Sequence, residues 1–388
     1  MTPDQALIEE VAAWRRHLHS LPETGFEEVR TSEFVAEKLT SFGIEIRRGL
    51  GGTGVVGTLR RGSANRAIGL RADMDALNIL EANAFDHCSR VQGKMHACGH
   101  DGHTAMLLGA AKLLAAEGGF DGVLHFFFQP AEEHGCGAQA MVDDGLLDQF
   151  PVEAVFGLHN APFLPVGTFA TRVGGLMASE DDFEIAIKGV GGHAARPNRT
   201  IDPVVIAGEA ILALQSVVSR SVDPMDQAVV SITEILTDGT RNVIPNIVTL
   251  KGDTRSFSSE VGDTIERSMR RIIAGVCGAH GAEHSFAYTH EFQPTINTAM
   301  ATAAALQAAR SVFDHVDGDC TPVMGSEDFA NMIKACGEGN FAFVGNAPRG
   351  GGDAVNLHNP HYDFNDQALP YGIRYWATLA AQLLPVRS

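Results

Sequence analysis

Three imidazoles, one thiol and one carboxylate fall within residues 95–103, Met95-His96-Ala97-Cys98-Gly99-His100-Asp101-Gly102-His103. These are donors that borderline-soft divalent ions take, and a single glycine between Cys98 and His100 lets sulfur and ring nitrogen bend towards one centre. Further donors follow. Residues 70–77 carry Asp73 and Asp75, residues 129–134 carry Glu132 beside Glu133, and His159 and His358 come later. Cys98, His100, Glu133, His159 and His358 together offer a thiolate, three imidazoles and a carboxylate, more than one closed tetrahedral ion accepts. Two ions about 3.5–4 Å apart, sharing a bridging ligand and a water, fit that inventory, and such a pair polarises a carbonyl as amide hydrolysis requires. Zn²⁺ suits the mixed donors best, with Mn²⁺, Co²⁺ and Ni²⁺ compatible. Two adjacent carboxylates can divide the work of ligand and general base. Of the pair Asp73 and Asp75, one is expected to hold a metal-bound imidazole from behind, and Asp73 is taken for that role.

Positioning these groups calls for an α/β fold. Residues 67–71, 122–129 and 154–158 read as strands, and each leads into a metal-compatible segment, as open α/β sheets build sites beyond the carboxyl ends of their strands. The donors of residues 95–103 lead into a helix from Thr104. Two amphipathic helices open the chain at residues 7–18 and 27–39, and the turn between them, with His17, His19 and Glu23, is expected on the surface. Gly49, Gly51, Gly52 and Gly54 do not form GxGxxG, so no dinucleotide site is expected. From residue 181 the order becomes strand, helix, strand, strand, helix, strand, over residues 182–188, 201–221, 228–235, 242–255, 259–279 and 283–289. This βαββαβ pattern is a module by itself. The chain therefore reads as a metal-binding domain with a mixed central sheet, residues 1–180 and 295–388, interrupted by an α+β lid at 181–294.

A chain of 388 residues exceeds one ordinary core, in keeping with two domains. Its formal charge of −18 argues against nucleic acid and anionic membranes, and no 18-residue apolar run offers a membrane span. The amino-terminal stretch is acidic where a secretory signal would be basic, and six cysteines lie without CxxC spacing or a disulfide rhythm. Both features point to a cytoplasmic protein with reduced thiols. A small molecule is the expected partner. Exposed strand edges in the lid are where a homo-oligomer would form.

The motifs RADMDAL (71–77), MHACGHDGHT (95–104), QPAEE (129–133), GLHN (157–160), GGHAARP (191–197), MGSEDF (324–329) and LHNPHYDFND (357–366) are spread over nearly the whole chain. In that order they resemble the two-domain metallo-aminoacylases and carboxypeptidases, and within them the hippurate hydrolase branch of N-acyl-L-amino-acid amidohydrolases. The resemblance implies metal binding by Cys98, His100, Glu133, His159 and His358, with Glu132 as general base. It assigns His193 to the oxyanion, Asn242 and Arg255 to the substrate carboxylate, and Gly325 to the substrate side. The residue types agree: Gly191-Gly192 permits close backbone approach before His193, and a guanidinium can clamp a carboxylate through two parallel hydrogen bonds. One departure is Asn78, where the family follows RADMDAL with proline, and it bears on substrate preference. The expected reaction is hydrolysis of an N-acyl amino acid such as N-benzoylglycine. A metallo-dipeptidase or carboxypeptidase of the same fold is the alternative. A metal-binding or sensing protein without catalysis is a third reading, against which Glu132 speaks.

Overall fold

The computed structural model describes residues 1–349 and 354–386. The chain divides into two compact units, Met1–Leu176 with Ile296–Thr321 and Asp328–Ser388, and Met177–Thr295 with Pro322–Glu327. The first unit opens with α1 (Gln5–His19), α2 (Val29–Ser41), β1 (Glu45–Leu50), β2 (Gly54–Arg61), β3 (Ala67–Asp73), α3 (His100–Glu117), β4 (Gly122–Gln129), β5 (Val155–Pro165) and β6 (Thr168–Ala170). The second contains β7 (Glu180–Lys188), α4 (Pro203–Leu214), β8 (Ala228–Thr237), β9 (Ile247–Ser256), α5 (Ser259–His280) and β10 (Glu283–Phe292). The first unit resumes with α6 (Ala299–Ala309), β11 (His315–Asp317), β12 (Gly339–Ala347) and α7 (Leu369–Leu383).

The first unit's sheet has eight strands in the order β1-β2-β4-β3-β5-β12-β6-β11. It is mixed: β3 runs parallel to β4 and β5, and β5 to β12, while β1 and β2 run antiparallel at one side. β3 and β4 are buried at every residue, so their sequences are continuous apolar runs rather than alternations. Their ends lie in register, Asp73 opposite Gln129. β5 runs past its expected end to Pro165, which puts His159 inside the strand, opposite Phe343 of β12. α3 begins at His100 rather than Thr104, and from His100 to Leu114 only Lys112 escapes full burial. It packs against α1 and α7.

In the second unit the sheet order is β8-β9-β7-β10, antiparallel throughout. Ile206, Ala210 and Leu214 of α4 and Ile265, Met269 and Ile273 of α5 share one core with Ile185, Ile187, Val248 and Leu250. Asp202 caps α4 by accepting from Val204 N–H, with Pro203 preset for the first helical position. The helix expected over 201–221 is α-helical to Leu214 and ends in a π-helical turn, Val217–Ser221. The strand expected over 242–255 breaks at Pro245, which has no N–H for a ladder, leaving Val243–Ile244 paired with Gly192–His193.

The turn between α1 and α2 departs most from expectation. His19, Glu23 and Glu28 are buried, not at the surface, whereas His17 is exposed as expected. Each buried group has a partner: His19 lies between Asp101 and Glu81, and Glu23 accepts from the backbone N–H and hydroxyl of Thr31. Buried polar groups persist where such bonds replace water.

Candidate metal centre

The turn at Gly99 gathers the first two donors. Gly99 has φ +89° as the residue before α3, and a Cβ there would lie 2.4 Å from Asn160 Oδ1, so both conformation and space demand glycine. Cys98 Sγ lies 3.5 Å from His159 Nε2. His358 Nε2 lies 3.4 Å from Glu133 Oε1, and His100 Nε2 lies 3.9 Å from both Glu133 Oε1 and Glu132 Oε2. Donor atoms of three sets, Cys98/His100/His159, Cys98/Glu133/His358 and His100/Glu132/Glu133, each lie within 4.8 Å of one another. The five expected ligands therefore converge within the first unit, in overlapping groups that share Cys98, His100 and Glu133.

Supporting bonds turn the rings. His100 Nδ1–H donates to Asp75 through its backbone oxygen (3.0 Å) and Oδ1 (3.2 Å), which leaves Nε2 to the site. His159 Nδ1–H donates to the Asn160 carbonyl at 2.8 Å, again freeing Nε2. The carboxylate behind a candidate ligand ring is thus Asp75. Asp73, expected there, instead pairs with His103 Nδ1 (2.7 Å) and Arg71 (2.8 Å), and lies 3.7 Å from His100 on the Nε2 side. Where the strand stops decides this: β3 ends at Asp73, and the chain then turns Asp75 towards α3. His103 and Asn160, present in the quoted motifs but given no role there, bond to each other at 2.6 Å, and Asn160 reaches Tyr362, whose hydroxyl accepts its Nδ2–H at 2.7 Å.

A cation fits this cluster. His100 Nε2 and Glu133 Oε1 are buried and have no hydrogen-bond partner among the described residues, at a usual cost of about 1–3 kcal/mol for such a group. Burial works against charge on His100, yet Asp73, Asp75 and Glu133 push its pKa up to about 10. Burial, then the charges of Glu133, Glu132 and Asp73, push the Cys98 thiol well above its usual value. A field that holds protons so firmly accepts divalent cations in exchange for them. Glu132, 6% exposed, opens a 3₁₀ turn after Ala131, whose φ is +50°. His358 has φ +62°, is held by its N–H to Ala97 O at 2.8 Å, and keeps its ring half exposed.

His193, Asn242, Arg255 and Gly325 belong to the second unit. His193 Nδ1 accepts the Ala195 N–H at 3.0 Å, which places the neutral ring's proton on Nε2. Asn242 O accepts the Ala194 N–H, and Gly325 O the Ala178 N–H. Arg255, on β9, pairs with Asp253 at 2.6 Å and Glu180 at 2.9 Å, and donates to Ser326 Oγ at 2.8 Å. The guanidinium expected to clamp a substrate carboxylate already carries two carboxylate partners.

Residues 69–382 match the model of Peptidase family M20/M25/M40. The chain is 40% identical to the hippurate hydrolase of Campylobacter jejuni, over 95% of each. It is 38% identical to the N-acetylcysteine deacetylase of Bacillus subtilis, over 98% of each. A crystal structure of a dinuclear metal binding peptidase of the M20 family from Bacillus subtilis is similar at a TM-score of 0.86 and 35% identity, covering 99% of this chain and 100% of that one.

Proposed function

The chain belongs to Peptidase family M20/M25/M40, and from that membership we propose that it is a dinuclear-metal amidohydrolase that cleaves N-acyl amino acids into a carboxylic acid and a free amino acid. The observation that carries this reading is the convergence of Cys98, His100, Glu133, His159 and His358 with a second carboxylate, Glu132, beside them. The hydrolase and deacetylase names of its relatives support the substrate class. Two divalent ions, zinc by donor type, would supply Lewis acidity to the scissile carbonyl.

The chain's own groups divide the remaining work. Glu132 takes a proton from the attacking water and delivers it to the amide nitrogen, which must be protonated to leave. His193, with its proton on Nε2, donates to the oxygen that becomes negative. Asn242, Gly325 and Arg255, all in the second unit, are the residues that would recognise the substrate. Six free thiols suit a reducing compartment, the cytoplasm. The test is kcat/KM of the metal-loaded enzyme for N-benzoylglycine and N-acetyl amino acids against dipeptides with the same carboxyl-terminal residue. Preference for the N-acyl compounds is expected, and a preference for dipeptides makes the chain a dipeptidase instead.

A further inference from the structure

The peptide that carries Glu132 is pinned on both sides by carboxylates from elsewhere in the first unit. Ahead of it, Ala131 N–H donates to Glu28 Oε1 at 2.8 Å; behind it, Glu133 N–H donates to Asp75 Oδ2 at 3.0 Å. Asp75 also holds His100. Glu28 reaches the site by a different route, spending one oxygen on that backbone amide and the other on the Thr53 hydroxyl at 2.6 Å. Its side chain lies in a fully buried residue, a costly place for a carboxylate unless its bonds serve a purpose.

What it holds is unusual backbone. Ala131 sits at φ +50°, ψ 41°, a left-handed conformation rare for a residue with a β-carbon. The rest of the turn presses on the same loop: a Cβ on Gly25 would lie 2.6 Å from His134 Nδ1, and Phe26, itself at φ +63°, packs its ring against His134. One carboxylate thus fixes the Pro130–Ala131 peptide, directly ahead of the left-handed residue that leads into Glu132. We propose that Glu28 is a positioning residue for hydrolysis, holding the Ala131 peptide in its left-handed turn and thereby aiming the Glu132 carboxylate. The inference rests on reading Glu132 as the base. A base must lie within hydrogen-bond reach of the proton it takes, and a 1 Å displacement can cost about 10²-fold in rate.

The experiment uses the full-length, metal-loaded enzyme with N-benzoylglycine, reading kcat, KM and bound metal. Glu28→Ala is expected to lower kcat about 10-fold or more, with KM within about 2-fold and both ions retained. Glu28→Gln should restore most of kcat, because its amide oxygen still accepts from Ala131 N–H while its NH₂ donates to Thr53. On a Glu132→Gln background, Glu28→Ala should cost less than about 2-fold more, as expected of residues acting as one unit. If Glu28→Ala fails to fold, Thr53→Val decides: a kcat loss of about 3-fold or more supports the proposal, and unchanged kcat overturns it. Unchanged kcat in Glu28→Ala, loss of metal, no rescue by glutamine, or full additivity with Glu132→Gln also overturns it. Normal turnover by Glu132→Gln sinks the base assignment itself, whereas an inactive Glu132→Gln beside a normal Glu28→Ala sinks this proposal alone.

Discussion

Glu132 and Glu133 are neighbours of one type, yet their surroundings differ. Glu133 Oε1 is a buried, unbonded atom 3.4 Å from His358 Nε2, where negative charge is needed to hold an ion. Glu133→Gln should therefore lose metal, whereas Glu132→Gln should keep it and slow kcat at least about 10²-fold. Metal analysis beside kcat checks this, and an exchange of the two phenotypes would exchange the roles. Arg255 poses a subtler case, because Asp253 and Glu180 already compensate its charge. A substrate carboxylate would join that cluster as a third anion. Arg255→Ala should still lower kcat/KM more for N-acyl amino acids than for their carboxamides, by about 10-fold or less; equal losses on both would make Arg255 structural. At this scale the donors were readable because thiol, imidazole and carboxylate declare their chemistry by type. The choice of Asp75 over Asp73, the role of Glu28 and the partners of Arg255 were not, since a carboxylate's role depends on which amide or ring it meets.

Among the elements, β3, β4 and the βαββαβ module followed from apolar runs and their order, whereas the turn from α1 to α2 did not. Its histidine and carboxylates look solvent-facing until Asp101, Glu81, Thr31 and Ala131 arrive from distant segments. His19 shows what this burial does. Burial opposes its charge, but the hydrogen bond and charge of Asp101, with a further bond from Glu81, raise its pKa from 6.5 to about 9. Because the folded value exceeds the unfolded one, the stabilisation is complete below about pH 6.5 and is lost as pH rises towards 9, on the order of 3 kcal/mol. Denaturant midpoints should fall between pH 6.5 and 9, and His19→Gln should flatten that slope. An unchanged slope in the variant would mean that His19 is not the titrating group.

For the whole molecule, the five expected ligands Cys98, His100, Glu133, His159 and His358 all belong to the first unit, so metal held by them should stabilise that unit alone. At free metal about 100 times Kd the gain is about 2.7 kcal/mol. Calorimetry with and without chelator should show one transition moving while the other stays; equal shifts of both would make the units one cooperative block. The interruption of the first unit by the second also sets a timetable for synthesis. β5 leaves the ribosome with β3 already made, but β12, its other neighbour in the finished sheet, follows only after the whole second unit has been translated. His358 comes later still. A nascent chain must therefore wait with a long apolar strand edge uncovered and the metal centre one donor short, which makes this interval the one in which it is most exposed to edge-to-edge aggregation.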